Sequence, residues 1–249
     1  EALFRGPVWG TGTVLGDTLE IARGLRLSLE LLPMLADVDR PEDLSVWREA
    51  QCRQTRARLS VIIPTLNEAE TIQPTLSRVA GGESVEPIVV DAGSKDETVR
   101  QAREAGAHVI EGPRGRAAQL NHGAAAASGE LLLFVHADTL LPPVYDLHMR
   151  RTLWRPGVVA GAFGLKIASA DPRLRLIERT ANWRSRVLQM PYGDQGIFLR
   201  AELFAEMGGF PEMPLMDDYE LMRRLAGRGR IEILEAPVRT SARRWQKRG

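Results

Sequence analysis

The chain has 249 residues, 44% hydrophobic and 26% charged, which is typical of a globular protein with one large domain. The formal net charge of +1 gives no overall basic field, so we expect no nucleic-acid partner. The single cysteine, Cys52, excludes an intrachain disulfide and fits a reducing cytoplasm, and no apolar run approaches the ~18 residues of a membrane span.

Residues 1–57 differ in pattern from the rest of the chain. A turn-like segment at 9–12 precedes a helix predicted over residues 18–32. An acidic, proline-punctuated stretch follows at 37–44, and a charged linker covers about 48–58. Regular alternation of strands and helices begins only after this linker.

From residue 59 onward, apolar strands alternate with helix patterns. Strands are predicted at 59–63, 87–91, 108–110 and 130–135, with helices from 67 to about 82, 94 to about 106, and 115 to 127. Asn67 with Glu70, and Ser94 with Glu97, have the spacing of capping boxes at helix starts. The β-α-β spacing predicts an α/β fold with a doubly wound, mainly parallel sheet.

The second half of the chain is less regular. A strand at 158–167 contains Gly161 and Gly164, which indicate close backbone approaches. Asp171 followed by Pro172 predicts a helix start, with the helix reaching about Gln189. A further helix is predicted over 217–226, and a strand over 231–234.

The strand at 130–135 runs directly into His136 and Asp138. Ligands of open α/β sheets bind outside the carboxyl ends of the strands. A carboxylate there is suited to hold a divalent cation against a phosphate, so we expect Asp138 to be a metal ligand. Imidazole is a softer ligand than a carboxylate, so His136 is less suited to bind the metal. It would contact a ribose or a water instead, or be an ordinary loop histidine.

Arg114 and Arg116 stand at the predicted start of the helix over 115–127. Backbone amides at a helix N-terminus together with two guanidinium groups suit a diphosphate, although a solvated arginine pair is the alternative. The segment is not G-x-G-x-x-G, so a dinucleotide fold is not supported. Asn121 in the same helix is expected to face the nucleotide or a neighbouring loop.

Several motifs, in order and with sensible spacing between residues 58 and 249, resemble inverting family 2 glycosyltransferases. They are VIIPTLNE at 61–68, VVDAGSKDET at 89–98, HAD at 136–138, GDQG at 193–196, MDD at 216–218 and RRW at 243–245. The resemblance is to a bacterial branch of this family in which the metal-binding motif has the sequence His-Ala-Asp. It implies a GT-A fold, a UDP- or GDP-linked sugar donor, and Mg²⁺ or Mn²⁺ as cofactor.

The resemblance also implies roles for single residues on the donor side. Pro64, Asn67, Glu68 and Asp91 would contact the nucleoside, although Asn67 and Asp91 also fit ordinary roles at helix starts. A metal ion held by Asp138 would stabilise the charge that grows on the departing diphosphate.

Taken alone, the pair Asp217 and Asp218 indicates acids that cap a helix. The resemblance implies instead that this pair supplies the general base, which takes the proton of the acceptor hydroxyl. We assign that role to Asp218, with Asp217 as its neighbour and the alternative. The resemblance also implies contacts to the acceptor or the diphosphate from Asp194, Gln195, Arg243, Arg244 and Trp245. For the last three residues, the alternative interpretation is a disordered basic terminus.

Residues 1–57 resemble the C-terminal end of a nucleotidyltransferase-like domain, without its phosphate-binding loop. We therefore interpret the chain as an internal piece of a fused protein, with a glycosyltransferase domain over 58–249 that lacks its last helices. Alternative functions are a sugar-phosphate nucleotidyltransferase and a non-catalytic nucleotide or glycan binding module. The expected location is the cytoplasm, where the basic tail could contact phosphates or the inner membrane surface.

Overall fold

The computed structural model describes residues 14–25, 27, 56–213 and 216–243. The chain divides into two units, Glu1–Trp47 and Arg48–Gly249. In the first unit, helix α1 spans Val14–Gly24 and thus begins before the predicted position. The rest of the N-terminal pattern lies outside the described residues, so the predicted domain boundary at residues 57 and 58 stays a prediction.

The second unit contains the predicted alternation of strands and helices. Its strands are β1 (Leu59–Thr65), β2 (Val85–Asp91), β3 (His108–Glu111), β4 (Leu131–Phe134), β5 (Thr139–Leu140), β6 (Val158–Ala168), β7 (Ile197–Arg200) and β8 (Arg230–Ser241). Its helices are α2 (Ile72–Val79), α3 (Thr98–Glu104), α4 (Arg116–Ala126), α5 (Tyr145–Leu153), α6 (Pro172–Leu188), α7 (Ala201–Glu206) and α8 (Asp217–Ala226), with a 3₁₀ turn at Gly193–Gln195.

The strands form one sheet in the order β3-β2-β1-β4-β7-β6-β8-β5. Strands β3, β2, β1 and β4 are parallel neighbours, as the β-α-β spacing predicts. Strand β7 is antiparallel to both β4 and β6, and β5 is antiparallel to β8, so the sheet is mixed. The elements β5, α5, β7 and α7 were not predicted, because they are short or carry polar residues at buried positions.

The central strands are buried on both faces, which explains their unbroken apolar runs. In β1, Val61 packs in one core cluster with Leu76 of α2, while its neighbour Ile62 packs in another with Leu120 of α4. Helices therefore cover the parallel half of the sheet on both sides. This arrangement leaves the carboxyl ends of β1, β2 and β4 to present their loops at one edge.

The two predicted capping boxes are wrong. Helix α2 begins at Ile72, and Asn67 lies before it in the left-handed region, with φ 56°. Its side-chain oxygen accepts a hydrogen bond from the Lys95 amide at 2.9 Å, while its own amide donates to the Ser94 hydroxyl at 2.8 Å. Both polar side chains therefore tie the loop after β1 to the loop after β2 instead of capping helices.

The close backbone approach predicted at Gly161 is confirmed, and a prediction about stability follows from it. A Cβ at this position would lie 2.3 Å from Cζ of Phe198 on the neighbouring strand. Gly161→Ala is expected to cost about 1–3 kcal/mol of unfolding free energy because the core must shift. Chemical denaturation measures this, with Gly227→Ala as control, since Gly227 has φ −73° and only an ordinary contact. Equal stability of Gly161→Ala and the wild type would contradict the packing argument.

Candidate active site

A cleft of about 960 Å³ lies where the first turn of α4, the 3₁₀ turn and the start of α8 come together. The sequence singled out five of its residues from distant motifs, and the structure brings them together. These are Arg114, Arg116, Asp194, Asp217 and Asp218. A smaller cavity shares Arg116, Asp217 and Asp218 with this cleft and reaches His136.

Asp217 and Asp218 are the first two residues of α8 and are almost fully buried, with 3% and 7% of their surface exposed. The positive end of the helix dipole favours carboxylates at this position. Asp217 binds Arg116 through both oxygens, with Nε of Arg116 donating to Oδ2 at 3.3 Å and Nη2 donating to Oδ1. The first acid of the pair is therefore the counter-ion of an arginine.

Asp218 has different partners. Its Oδ2 accepts a hydrogen bond from the Gly193 amide at 2.7 Å, and its Oδ1 accepts one from the Tyr219 amide at 2.8 Å. Nη2 of Arg116 lies 3.6 Å from Oδ2, a longer separation than its contact with Asp217. The backbone amides fix the orientation of the Asp218 carboxylate at the cleft wall.

Arg116 is held in its charged form by the acids around it. Burial opposes the charge, but the hydrogen bond to Asp217 and the carboxylates of Asp218, Asp217 and Asp194 raise the pKa of the guanidinium. This contact links the start of α4 to the start of α8. Arg114, the other arginine predicted to meet a diphosphate, is exposed on the same cleft.

Gly193 occupies the centre of this cluster. A Cβ at this position would lie 3.3 Å from Oδ2 of Asp218, 3.3 Å from Nε2 of His136 and 3.8 Å from Nη1 of Arg116. The glycine thus lets His136 and Asp218 come close on either side of the turn. The sequence singled out the motif that contains Gly193 but gave this glycine no role.

A second cluster joins the loops after β1 and β4 to the end of β8. Nη2 of Arg243 donates a hydrogen bond to Oε2 of Glu68 at 2.6 Å and lies 3.8 Å from Oδ2 of Asp138. Its Nη1 lies 3.6 Å from Oε2 of Glu70. The hydrogen bond to Glu68, together with the charges of Glu68, Asp138 and Glu70, raises the pKa of Arg243 against the effect of burial. Glu68 and Asp138, predicted on the donor side, therefore lie together with Arg243, predicted at the diphosphate or the acceptor.

Asp138 fits a cation that is shared with a nucleotide. In the part of the chain that the structure describes, no group of three or more His, Cys, Asp or Glu side chains could hold a metal ion. The side chain of Asp138 is 20% exposed. Mg²⁺ is commonly held by one or two carboxylates, with substrate phosphates and water supplying the remaining ligands. The donor set at Asp138 suits that mode, and an all-protein cage is not formed by the described residues.

Asp91 organises the loop that follows β2. Its carboxylate accepts hydrogen bonds from the Thr65 hydroxyl at 3.1 Å and from the amides of Gly93 and Ser94 at 3.0 and 2.8 Å. Only 4% of its surface is exposed. Asp91 thus shapes the edge of the sheet where Pro64, half-buried at the end of β1, also lies.

Two predicted residues, the buried Gln195 and the half-buried Asn121, use their side chains in hydrogen bonds within the protein. Gln195 is fully buried; its amide donates to the Phe163 carbonyl at 3.0 Å, and its oxygen accepts from the Ser185 hydroxyl at 2.7 Å. Asn121 exchanges two hydrogen bonds of 2.8 Å with the backbone of Phe210, which selects the neighbouring loop over the nucleotide.

The two remaining predicted residues, Arg244 and Trp245, lie outside the described residues. The sequence also missed cleft residues in irregular segments, where no periodic pattern marks them. These are Pro113, Tyr192, Glu212 and Met213, whereas Met216 lies in the MDD motif but was given no role.

Comparisons with known proteins show which family and fold this chain resembles. Residues 60–163 match the family described as glycosyl transferase family 2. Glucosyl-3-phosphoglycerate synthase from Mycolicibacterium smegmatis is 36% identical over 110 residues, which cover 39% of this chain and 36% of that protein. The synthase from Mycobacterium tuberculosis H37Rv is 30% identical over 106 residues, covering 38% of this chain and 33% of that protein. The chain therefore spans about a third of the length of these curated relatives.

Solved structures confirm the expected GT-A fold. The mannosyltransferase PcManGT from Pyrobaculum calidifontis, in complex with GDP-Man and Mn²⁺, is 25% identical with a TM-score of 0.61, covering 80% of this chain and 63% of that chain. The Mycobacterium tuberculosis glucosyl-3-phosphoglycerate synthase, in complex with Mg²⁺ and UDP, is 21% identical with a TM-score of 0.58. That match covers 81% of this chain and 78% of the other.

Proposed function

We propose that this chain, which carries a glycosyl transferase family 2 domain, transfers a sugar from a nucleotide-diphosphate donor to a hydroxyl acceptor. The observation that carries the proposal is the cluster of Arg116, Asp217 and Asp218 at the wall of the large cleft. A buried carboxylate pair can accept a proton there, while Arg114 and the first amides of α4 line the same cleft and suit a diphosphate.

The donor nucleoside is proposed to lie against the loops after β1 and β2. The hydrogen bonds between Asn67 and the Ser94–Lys95 segment, and those that Asp91 accepts, hold these loops in one arrangement before a ligand arrives. Such preorganisation lowers the entropy cost of binding. Complexes of structural neighbours contain GDP-Man or UDP, which supports a nucleotide donor and leaves its base and sugar open.

The proposed cofactor is Mg²⁺ or Mn²⁺, which Asp138 would hold together with the donor diphosphate. Such an ion, when bound, neutralises negative charge on the departing diphosphate. This chain's own residues hold Asp138 in place: the Ser241 amide donates to its carbonyl at 3.1 Å, and Arg243 links its carboxylate to Glu68. Divalent ions in the neighbour complexes support this assignment.

Asp218 is the proposed general base. It takes the proton from the acceptor hydroxyl as the acceptor oxygen bonds to the anomeric carbon and the bond to the diphosphate oxygen breaks. Asp217 is a weaker candidate because both of its oxygens bind Arg116. Inversion at the anomeric carbon stays a prediction, and NMR of the anomeric proton in the product tests it.

The acceptor is proposed to enter beside Asp218, where Tyr192, Met213 and Met216 give the cleft an apolar rim and Glu212 and Asp194 add carboxylates. A structural neighbour was solved with phosphoglyceric acid, but that ligand belongs to that protein.

A panel of nucleotide sugars tests the proposal. We expect Mn²⁺-dependent release of a nucleoside diphosphate from one UDP- or GDP-linked sugar, measured by liquid chromatography, and its loss when a chelator removes the metal. Release of pyrophosphate from a nucleoside triphosphate and a sugar phosphate would support the nucleotidyltransferase instead. Binding of a donor without turnover, under any metal, would favour the non-catalytic binding module.

No described helix is long and apolar enough to cross a membrane. A cytoplasmic location stays a prediction. Contact with the inner membrane surface also stays a prediction, because the basic tail that suggested it lies mostly outside the described residues.

A further inference from the structure

Helix α6 packs on the sheet through polar side chains as well as through Leu174 and Ala181, which contact the apolar cluster of Leu165 and Ile167. Polar side chains on the packed face are unusual for a surface helix. The inward positions of α6 include Glu178, Asn182 and Ser185. Glu178 accepts a hydrogen bond from the amide of Ile167, and Asn182 exchanges two bonds of 2.7 and 2.9 Å with the backbone of Leu165.

The course of β6 explains these polar contacts. Strand β6 pairs with β7 only at Ala160 and Gly161, so its later residues extend past β7. Backbone groups of Phe163, Leu165 and Ile167 then bond to side chains of Gln195 and of α6. The polar residues of the helix therefore satisfy strand groups that would otherwise be buried without partners.

The outward face of α6 is apolar. Leu176, Trp183 and Val187 are 65%, 61% and 58% exposed, and their spacing of seven and four residues places them on one face. Ile177 and Leu188 are exposed beside them, at 38% and 55%. These five residues are called the apolar stripe. Contiguous exposed apolar surface of this kind marks an interaction site more often than scattered single residues do.

Positive charge borders the apolar stripe. The helix has five arginines and one acid, Glu178, which faces inward and pairs with Arg175. Arg173, Arg179 and Arg186 are exposed. Near the end of the helix, Arg186 also lines a shallow depression with two further arginines. These are Arg155 and Arg230, which share the single acid Glu232.

We propose that α6 binds the surface of an anionic lipid bilayer, with the apolar stripe at the boundary of headgroups and acyl chains and the exposed arginines on lipid phosphates. An amphipathic helix with a tryptophan on its apolar face and arginines beside it has the features of an interfacial helix. A second copy of the chain would bring a face of the same positive charge against this one, which disfavours self-association. The contact is peripheral, since no described helix is suited to span the bilayer.

The lipid-binding helix is connected to the cleft. The hydroxyl of Ser185 on its inner face donates to Gln195, the last residue of the 3₁₀ turn that also carries Gly193 and Asp194. The proposed surface therefore lies next to the turn that lines the candidate active site, although its binding to lipid does not depend on catalysis.

Vesicle co-sedimentation tests this proposal. The full chain is mixed with vesicles of phosphatidylcholine alone, or of phosphatidylcholine with phosphatidylglycerol, at low and high salt. We expect binding to the anionic vesicles that weakens at high salt. Leu176→Gln combined with Trp183→Gln should weaken it about tenfold or more, because two apolar anchors are lost. Arg179→Gln should weaken it about fivefold, as one charge near the surface is worth ~1 kcal/mol.

Matched substitutions elsewhere serve as controls. Val144→Asn removes a valine that is 55% exposed, like Val187 at 58%, but lies outside α6. It should leave vesicle binding unchanged, whereas Val187→Asn should reduce it. Arg103→Gln, at an exposed position on α3, is the control for Arg179→Gln. Circular dichroism checks that every variant is folded.

Three results would overturn the proposal. The first is absence of binding to anionic vesicles by the folded wild type. The second is binding that Leu176→Gln with Trp183→Gln leaves unchanged. The third is light scattering that shows a dimer of the wild type and a monomer of this double variant, since the stripe would then contact a second copy.

Discussion

Asp218→Asn is expected to lower the rate of sugar transfer by about 10²–10⁴-fold, the range typical of a lost general base. The amide keeps the size of the side chain and can accept the hydrogen bond from the Tyr219 amide, but it loses the one from the Gly193 amide and cannot take the proton of the acceptor hydroxyl. Nucleotide binding, measured by calorimetry, should change much less than turnover. A variant that retains near wild-type turnover would exclude Asp218 as the base.

Asp217→Asn is the matched comparison, one residue away on the same helix. It removes the carboxylate that binds Arg116 but leaves Asp218 and its two amide partners in place. We expect a smaller loss of turnover than for Asp218→Asn. A larger loss for Asp217→Asn, with turnover retained in Asp218→Asn, would move the base to Asp217.

Asp138→Ala should have the second large effect. If Asp138 is the protein ligand of the cation, its loss removes an interaction worth several kcal/mol, so Mn²⁺-dependent affinity for the nucleotide should fall about 100-fold or more. Calorimetry with and without Mn²⁺ measures the metal-dependent part directly.

Glu70→Gln provides the control for Asp138→Ala. Glu70 is 84% exposed and also lies near Arg243, at 3.6 Å, but it is too exposed to contribute much through this pair. Exposed ion pairs are worth about 0–1 kcal/mol, so nucleotide affinity should stay within about fivefold of the wild type. An equal loss in both variants would mean that Asp138 acts through Arg243 and not through a metal.

Much of the fold was predictable because local pattern and burial agree in the parallel half. The apolar runs at 59–63, 87–91 and 130–135 are buried strands, and the helix predicted over 217–226 has the observed bounds. Asp171 caps α6 as the Asp-Pro pair predicts, accepting a hydrogen bond from the Arg173 amide. The patterns that predict these elements lie in residues that are neighbours in the sequence.

The missed elements depend on distant partners. Helix α5 has a polar sequence, yet Arg150 is buried there and donates hydrogen bonds to the carbonyls of Ala57 and Glu83, which are distant in the sequence. The polar residues on the packed face of α6 follow from the way β6 extends past β7, which periodicity does not reveal.

In the candidate site, too, the sequence indicates single residues but not the contacts between distant ones. The sequence singled out the charged residues Arg114, Arg116, Asp194, Asp217 and Asp218 of the cleft, but not how those residues pair. Arg116 was expected at a diphosphate, and its bond to Asp217 joins positions 101 residues apart. That bond distinguishes the two acids of the pair, which adjacency in sequence cannot do. Gln195 was expected at the acceptor, but it bonds to a strand that no short motif identifies as its neighbour.

Calorimetric titration of UDP and GDP, each with and without Mn²⁺, measures whether the chain binds a nucleotide through a metal ion. We expect one of the two nucleotides to bind, Mn²⁺ to strengthen the binding, and Asp138→Ala to remove the effect of the metal. Failure of the folded chain to bind either nucleotide in the presence of Mn²⁺ would contradict the assignment of this cleft and its neighbouring loops to a nucleotide-sugar donor.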